Sequence, residues 1–187
     1  IMKRKLQRFK FYFLKFFIGI FIYLDVRKYQ KLYNALLRNN GMKINGEPRF
    51  IAKSVKFDDF DRIQINDRLV VSMNVHFLTH DYSYTTALIA IDKEPKTDIG
   101  VLKNIYVGKN VFIGMNSIIL PGTKIGNNVI IGAGSVVRGS IPDNSIVAGN
   151  PAVVIGDIRE YASKVNIREK QDFVVDKKWE FYKLTQL

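Results

Sequence analysis

The sequence predicts a mainly β chain coiled into a parallel β-helix, with a helical N-terminal segment and a helical C-terminal tail. Three observations carry that expectation. From Ile105 to Ile141 an aliphatic residue recurs every six positions, as Val107, Ile113, Ile119, Ile125, Ile131 and Val137. Glycine follows it at Gly108, Gly114, Gly126 and Gly132. Four places after each aliphatic stands Val, Ser, Thr or Ile: Val111, Ser117, Thr123, Val129, Ser135 and Ile141. A period of six matches neither the 3.6 of a helix nor the 2 of a flat strand. It is the period of a hexapeptide β-helix, in which each unit is one short strand and one corner.

Each residue type has a reason. Three units close one coil of a triangular prism, and the recurring aliphatic points inward onto its counterpart one coil later. The small or β-branched residue faces the confined space near a corner. Corners need backbone angles that Gly and Asn adopt at least cost, which accounts for Asn110, Asn116 and the Asn127-Asn128 pair.

Residues 1–43 form a basic, aromatic-rich helical segment ahead of the prism. They carry eleven Lys or Arg against one acid, Asp25, out of a net charge of +12 for the 187 residues. The rest of the chain is nearly neutral and shows no basic face along the repeats, which excludes a nucleic-acid-binding body. The uninterrupted apolar run, Phe16 to Leu24, is nine residues long, well short of the roughly 20 needed to span a membrane. Asp25-Val26-Arg27-Lys28 follows it in place of a small-residue cleavage site. Residues 2–24 therefore have two expected roles: contact with an anionic membrane surface, or packing on the prism or a neighbouring subunit. The expected location is cytoplasmic, with the inner membrane face as the place for such contact.

The β-helix domain spans 44–155. Its first coils are degenerate: Ile51 and Phe57 are six apart, then the phase slips by two to Ile65, Val71 and Phe77. Asp58, Asp59, Asp61 and Asp67 fall at corners and are read as serving the turns. The pattern lapses over about 82–100, where Asp92-Lys93-Glu94-Pro95 marks an extruded loop. Residues 156–187 form a tail, helical from about Asp157 to Val165, whose Phe173, Trp179, Phe181 and Tyr182 are expected to cap the open end of the prism.

There is no cysteine, so disulfides, thiolate metal sites and a cysteine nucleophile are excluded. The two histidines, His76 and His80, stand just before the loop. An imidazole suits general-base work at neutral pH, but the residues alone leave both open to structural roles. The His-x-x-x-His spacing does not put two ligands on one face of a β-helix, so no metal is expected.

The segments Ile-Gly-Met-Asn-Ser-Ile-Ile-Leu-Pro-Gly (113–122), Ile-Gly-Ala-Gly-Ser-Val-Val (131–137), Ile-Pro-Asp-Asn-Ser (141–145) and Ala-Gly-Asn-Pro-Ala (148–152) resemble the hexapeptide-repeat acyltransferases. The likeness is greatest to the branch of galactoside, maltose and polysaccharide O-acetyltransferases. It implies a left-handed coil, against the usual crossover rule, a homotrimer with active sites between subunits, acetyl-CoA as co-substrate and a saccharide acceptor. The segment 74–81 matches the part of the family that carries the general base, which falls on His80, with Asn74, Asp81 and Tyr82 at the acceptor. Along the later coils Met115 and Ala133 would offer backbone groups to the pantetheine, with Arg138 and Gly139 near the nucleotide. Two departures stand out. Relatives often carry basic residues where this chain has Val153 and Gly156, leaving Arg138, Arg159 or Lys124 to meet the CoA phosphates. The run Thr-His-Asp-Tyr-Ser (79–83) resembles the polysaccharide and lipopolysaccharide enzymes more than the galactoside ones. N-acetylation of a nucleotide-linked amino sugar, O-acetylation of serine and a non-catalytic scaffold are the competing readings. The γ-class carbonic anhydrases share the prism but need three imidazoles for zinc, one more than this chain has.

Overall fold

A strand of two or three residues makes too few backbone hydrogen bonds to persist alone, so a six-residue unit is stable only when stacked on others. The computed structural model describes residues 2–168 and stacks these units in five levels. Helices α1 (Met2–Ile18), α2 (Phe21–Leu24) and α3 (Val26–Asn39) come first. The first coil is β1 (Lys43–Ile44), β2 (Phe50–Ile51) and β3 (Lys56–Phe57), and the second is β4 (Ile63–Ile65), β5 (Val70–Val71) and β6 (His76–Phe77). The chain then leaves through β7 (His80–Asp81), turns as α4 (Ser83–Ile89) and returns through β8 (Val101–Leu102). Two regular coils follow: β9 (Ile105–Val107), β10 (Val111–Ile113) and β11 (Ile118–Ile119), then β12 (Lys124–Ile125), β13 (Val129–Ile131) and β14 (Val136–Val137). The last level holds β15 (Ser140–Ile141), β16 (Ser145–Gly149) and β17 (Ala152–Asp157), with α5 (Ile158–Arg168) after it. The tail aromatics Phe173, Trp179, Phe181 and Tyr182 lie outside the described residues.

The strands form three parallel faces: β1-β4-β9-β12-β15, β2-β5-β10-β13-β16 and β3-β6-β11-β14. Register pairs align one inward column per face. They are Ile44-Ile65-Val107-Ile125-Ile141, Ile51-Val71-Ile113-Ile131-Val147 and Phe57-Phe77-Ile119-Val137. Most of these side chains are fully buried. The small hydroxyls are buried too, and each meets a corner carbonyl: Ser117 and Ser135 donate to the Gly132 oxygen, and Thr123 to that of Leu120. Ile141 departs from the expected phase. It pairs with Ile125 in the column rather than filling a corner, because the turn from Val137 is two residues shorter than the one from Ile119 to Ile125.

The glycines after the aliphatics mark the closest approach between coils. The Gly114 N–H donates to the Ile131 carbonyl (2.8 Å), and a Cβ at Gly114 would lie 2.5 Å from the Ala133 nitrogen. Asn110, Asn116, Asn128 and Asn144 all hold positive φ at corners. The amides of Asn110, Asn128 and Asn144 bond in a ladder at 3.0 Å.

At the first coil, α3 closes the prism. Asp25 caps the helix, its carboxylate accepting from the Lys28 N–H (3.0 Å). The strand edge at Ile51, which has no coil beneath it, is satisfied on both sides: the Tyr29 hydroxyl donates to its carbonyl (2.8 Å) and its N–H donates to Gln30 Oε1 (2.9 Å). Tyr33, Leu36 and Leu37 are buried against it. Helix α1 is anchored by Phe11, which packs on Phe60, and by Lys15, whose ammonium donates to the Val55 carbonyl (3.2 Å). Its Phe9, Tyr12, Phe13, Phe16 and Phe17 remain exposed, Phe16 to 70%. At the other end β17 folds back antiparallel on β16, and Asp157 accepts from the Arg159 N–H (2.7 Å) to start α5. Among the described residues no helix is long and apolar enough to cross a membrane.

Gly114→Ala is expected to force the third and fourth coils apart and cost about 1–3 kcal/mol, the usual range for overpacking. Urea unfolding of variant and parent measures this, and equal midpoints would contradict the stacking argument.

Candidate active site

Length variation is confined almost entirely to one edge of the prism. From the second face to the third, column residues are always six apart, as in Val71 to Phe77 or Ile113 to Ile119. From the third face to the first the spacing is eight (Phe57–Ile65), thirty (Phe77–Val107), six (Ile119–Ile125) and four (Val137–Ile141). His80 sits on this edge, where the second coil gives way to the loop. It is held by β7, whose antiparallel pairing with β8 sets His80 opposite Leu102 and Asp81 opposite Val101.

Directly beneath lies the corresponding corner of the first coil, Asp58-Asp59. Thr79 is fully buried and ties the two levels together. Its N–H donates to Asp58 Oδ2 (3.1 Å), its hydroxyl donates to Asp59 Oδ2 (2.8 Å), and its carbonyl accepts from the Lys103 N–H (2.8 Å). The same two carboxylate oxygens each stand 3.5 Å from His80 Nδ1. Nδ1 therefore faces acid and Nε2 is the nitrogen left for a reactant. The imidazole is 38% exposed, and the Tyr82 ring meets it edge-on at 5.6 Å. Two carboxylates at Nδ1 can accept from a proton carried on that nitrogen and so orient the ring. The sequence alone gives Asp58 and Asp59 no role beyond the turns. The overlooked signal is their position two adjacent places along the same corner, one coil before His80. The eight-residue spacing there hides it from a strict period of six.

The other expected site residues fall into three places. Asp81 turns away from His80: its Oδ1 accepts from the Ser83 N–H (2.8 Å) at the start of α4, and that bond holds its carboxyl below the ordinary range. Tyr82 lies against Gly100, where a Cβ would come within 2.7 Å of its ring. Asn74, at positive φ, stands at the opposite edge of the third face and donates its N–H to Ser54 Oγ (3.0 Å). Met115 and Ala133 continue that corner one and two coils on, both exposed, with the Met115 carbonyl accepting from the Gly134 N–H. Arg138 and Gly139 return to the His80 edge two coils later, about 10 Å along the axis at the usual strand spacing. The Gly139 carbonyl accepts from the Lys124 N–H (2.8 Å). Arg138 is exposed and carries no carboxylate partner among the described residues, whereas the Arg159 guanidinium is engaged on both oxygens of Asp157. That pairing holds the Asp157 carboxyl near 2 and occupies the Arg159 guanidinium. His76 stands in β6 beside Lys56 and Ile118, half-buried and away from the acid pair. Among the described residues no group of three or more His, Cys, Asp and Glu side chains could hold a metal ion.

Comparison with known proteins agrees with this architecture. Residues 104–139 match the family described as bacterial transferase hexapeptide (six repeats). Protein CapG of Staphylococcus aureus is 37% identical over 153 residues, covering 75% of this chain and 86% of CapG. The chain belongs to the hexapeptide-repeat transferases. WbbJ of Escherichia coli K12, a candidate lipopolysaccharide biosynthesis O-acetyl transferase, is 47% identical over 66 residues, about a third of each chain. A maltose O-acetyltransferase from Clostridium difficile 630 superimposes with a TM-score of 0.52 at 28% identity, over 68% of this chain and 75% of that one. This hexapeptide-repeat transferase is accordingly an acetyltransferase, and the paired carboxylates behind His80 belong to its third-to-first edge.

Thr79→Val keeps the shape of a buried side chain but removes the donor to Asp59. A hydrogen bond to a charged group contributes about 1.5–3 kcal/mol, so stability measured by denaturant unfolding is expected to fall by that amount.

Proposed function

We propose that this hexapeptide-repeat transferase moves an acetyl group from acetyl-CoA to a sugar hydroxyl, in a surface polysaccharide or lipopolysaccharide or its lipid-linked precursor. The supporting observation is the setting of His80, with Nδ1 against Asp58 and Asp59 on an imidazole that is 38% exposed. In this reading Nε2 removes the proton from the acceptor hydroxyl as the oxygen attacks the thioester carbonyl. A backbone N–H stabilises the oxyanion. Collapse breaks the C–S bond, and the imidazolium returns its proton to the departing sulfur. The products are the acetylated sugar and free CoA, and no acyl-enzyme forms. Asp58 and Asp59 orient the ring and balance its transient charge.

Asn74 and Tyr82 border the acceptor, with Asp81 shaping the turn beneath it. The exposed Met115 and Ala133 corner receives the pantetheine by backbone contacts, and Arg138, Gly139 and Lys124 take the nucleotide end. Three copies assemble as a homotrimer with active sites between subunits, in the cytoplasm. Residues 2–24 hold six Lys or Arg and no acid, beside the exposed aromatics of α1. In this reading they bring the enzyme to the anionic inner face of the membrane.

His80→Ala should lower kcat by about 10²–10⁴-fold while calorimetric affinity for acetyl-CoA is retained. Because the chain has no cysteine, released CoA thiol can be followed without background from the protein. Asp58→Asn and Asp59→Asn should each lower kcat, and the double variant should lose less than the product of the two, as groups acting as a unit do. Unchanged turnover in His80→Ala would remove the assignment. Phe13→Ser with Phe16→Ser should release the protein from phosphatidylglycerol vesicles in co-sedimentation. Equal binding by parent and variant would remove the membrane contact.

A further inference from the structure

Between α1 and the first two coils lies an open cleft of about 510 Å³. Four cations line it, Arg8, Lys15, Lys53 and Lys56, together with Asp58 and Asn74. Among the described residues none of the four is paired with a carboxylate, and Asp58 directs its Oδ2 to Thr79 and His80 instead. Lys15 is the most constrained. Its ammonium is fixed by the Val55 carbonyl and stands 5.7 and 5.6 Å from the rings of Phe11 and Tyr33. Burial, and then the neighbouring Lys53, lower its titration to about 8. A partly buried cation beside another cation is favoured by an anion nearby. The cleft also connects to the reaction centre at two points. Asp58 is shared with the His80 cluster, and Asn74 is one of the residues assigned to the acceptor.

We propose that this cleft binds a phosphoryl group carried by the acceptor, so that the saccharide acetylated at His80 is a phosphate- or diphosphate-linked sugar rather than a free one. The inference rests on the acetyl-transfer reading of His80. Arg8, Lys15, Lys53 and Lys56 provide charge-assisted contacts to the phosphoryl oxygens. Asp58 links that anchor to the ring nitrogen, and Asn74 borders the cleft at its other edge. The anchor is built from α1 and the first coil, and so is separate from the Arg138 edge assigned to CoA. A nucleotide-linked sugar and a lipid-linked saccharide share the diphosphate chemistry recognised here.

The test uses the full chain. Inorganic pyrophosphate is titrated by calorimetry into the parent, into a variant with Lys53→Gln and Lys56→Gln, both exposed, and into Lys15→Met, which keeps the packing of the stem. Circular dichroism and thermal melts check that each variant folds. Binding should weaken by about tenfold when two charge-assisted contacts are lost, while acetyl-CoA affinity is unchanged. In turnover, pyrophosphate should compete with the acceptor and not with acetyl-CoA. Nucleoside diphosphate sugars and lipid diphosphate-linked saccharides should be favoured over the free sugars, and the better of the two identifies the source of the phosphate. Undiminished pyrophosphate binding in both variants, or competition with acetyl-CoA, overturns the inference while leaving acetyl transfer intact. Absence of transfer to any saccharide, with pyrophosphate binding still dependent on the lysines, would instead remove the reading of His80 and keep the anion site.

Discussion

Each coil of this prism rests on the one before through three aliphatic columns that allow no slip. A shift of one residue would turn a buried side chain such as Ile113 or Val71 outward, so every level repeats the register of its neighbours. The hydrogen bonds from Gly108, Gly114, Gly126 and Gly132 to the next coil lock the spacing. Insertions and deletions can then be absorbed only at corners. In this chain they collect on the edge between the third and first faces.

That constraint explains where the His80 cluster forms. A regular corner has no room for a reactive side chain, because its residues are committed to turning and stacking. The longer turn after Phe57 brings in Asp58 and Asp59, and the still longer excursion after Phe77 releases His80 from the repeat. Thr79 joins the two departures, its backbone and hydroxyl each fixing one carboxylate under the imidazole. The cluster is thus a product of stacking: one corner presents acids, and the next presents the ring, at a separation set by the strand ladder. The same edge holds Arg138 two coils on, at the shortest turn of all. The rigid faces between these corners contribute alignment rather than reactive groups.

The regular part of the fold was legible because its physics is periodic. Val107 to Val137 announce their columns at intervals of six, and Asn110, Asn116 and Asn128 announce the left-handed corners. Where the period breaks, the sequence becomes ambiguous. Asp58 and Asp59 looked like turn residues, since their partner lies a full coil away across an irregular corner and no local pattern links them to His80. The count of six puts Ile141 at a corner, because a two-residue shortening shows only in the register of β15 on β12. Nor could the amino acids alone decide how α1 and α3 divide the N-terminal segment. Tyr29 and Gln30 serve the edge of Ile51, while Phe9, Phe13 and Phe16 stay in solvent, and both groups are aromatic or polar residues on predicted helices. His80 itself was singled out by resemblance to known acyltransferases, and its acid partners emerge only from the structure.

The central claim is that Asp58 and Asp59 fix the proton of His80 on Nδ1 and leave Nε2 to act. With two histidines in the chain, two-bond ¹H–¹⁵N correlation spectra of the uniformly labelled protein hold two ring systems, and His76→Gln assigns them. The account predicts that the neutral His80 ring is the Nδ1–H tautomer, with the proton shifting away from that preference when both aspartates become asparagine. A neutral His80 ring carrying its proton on Nε2, unaffected by those substitutions, would contradict it.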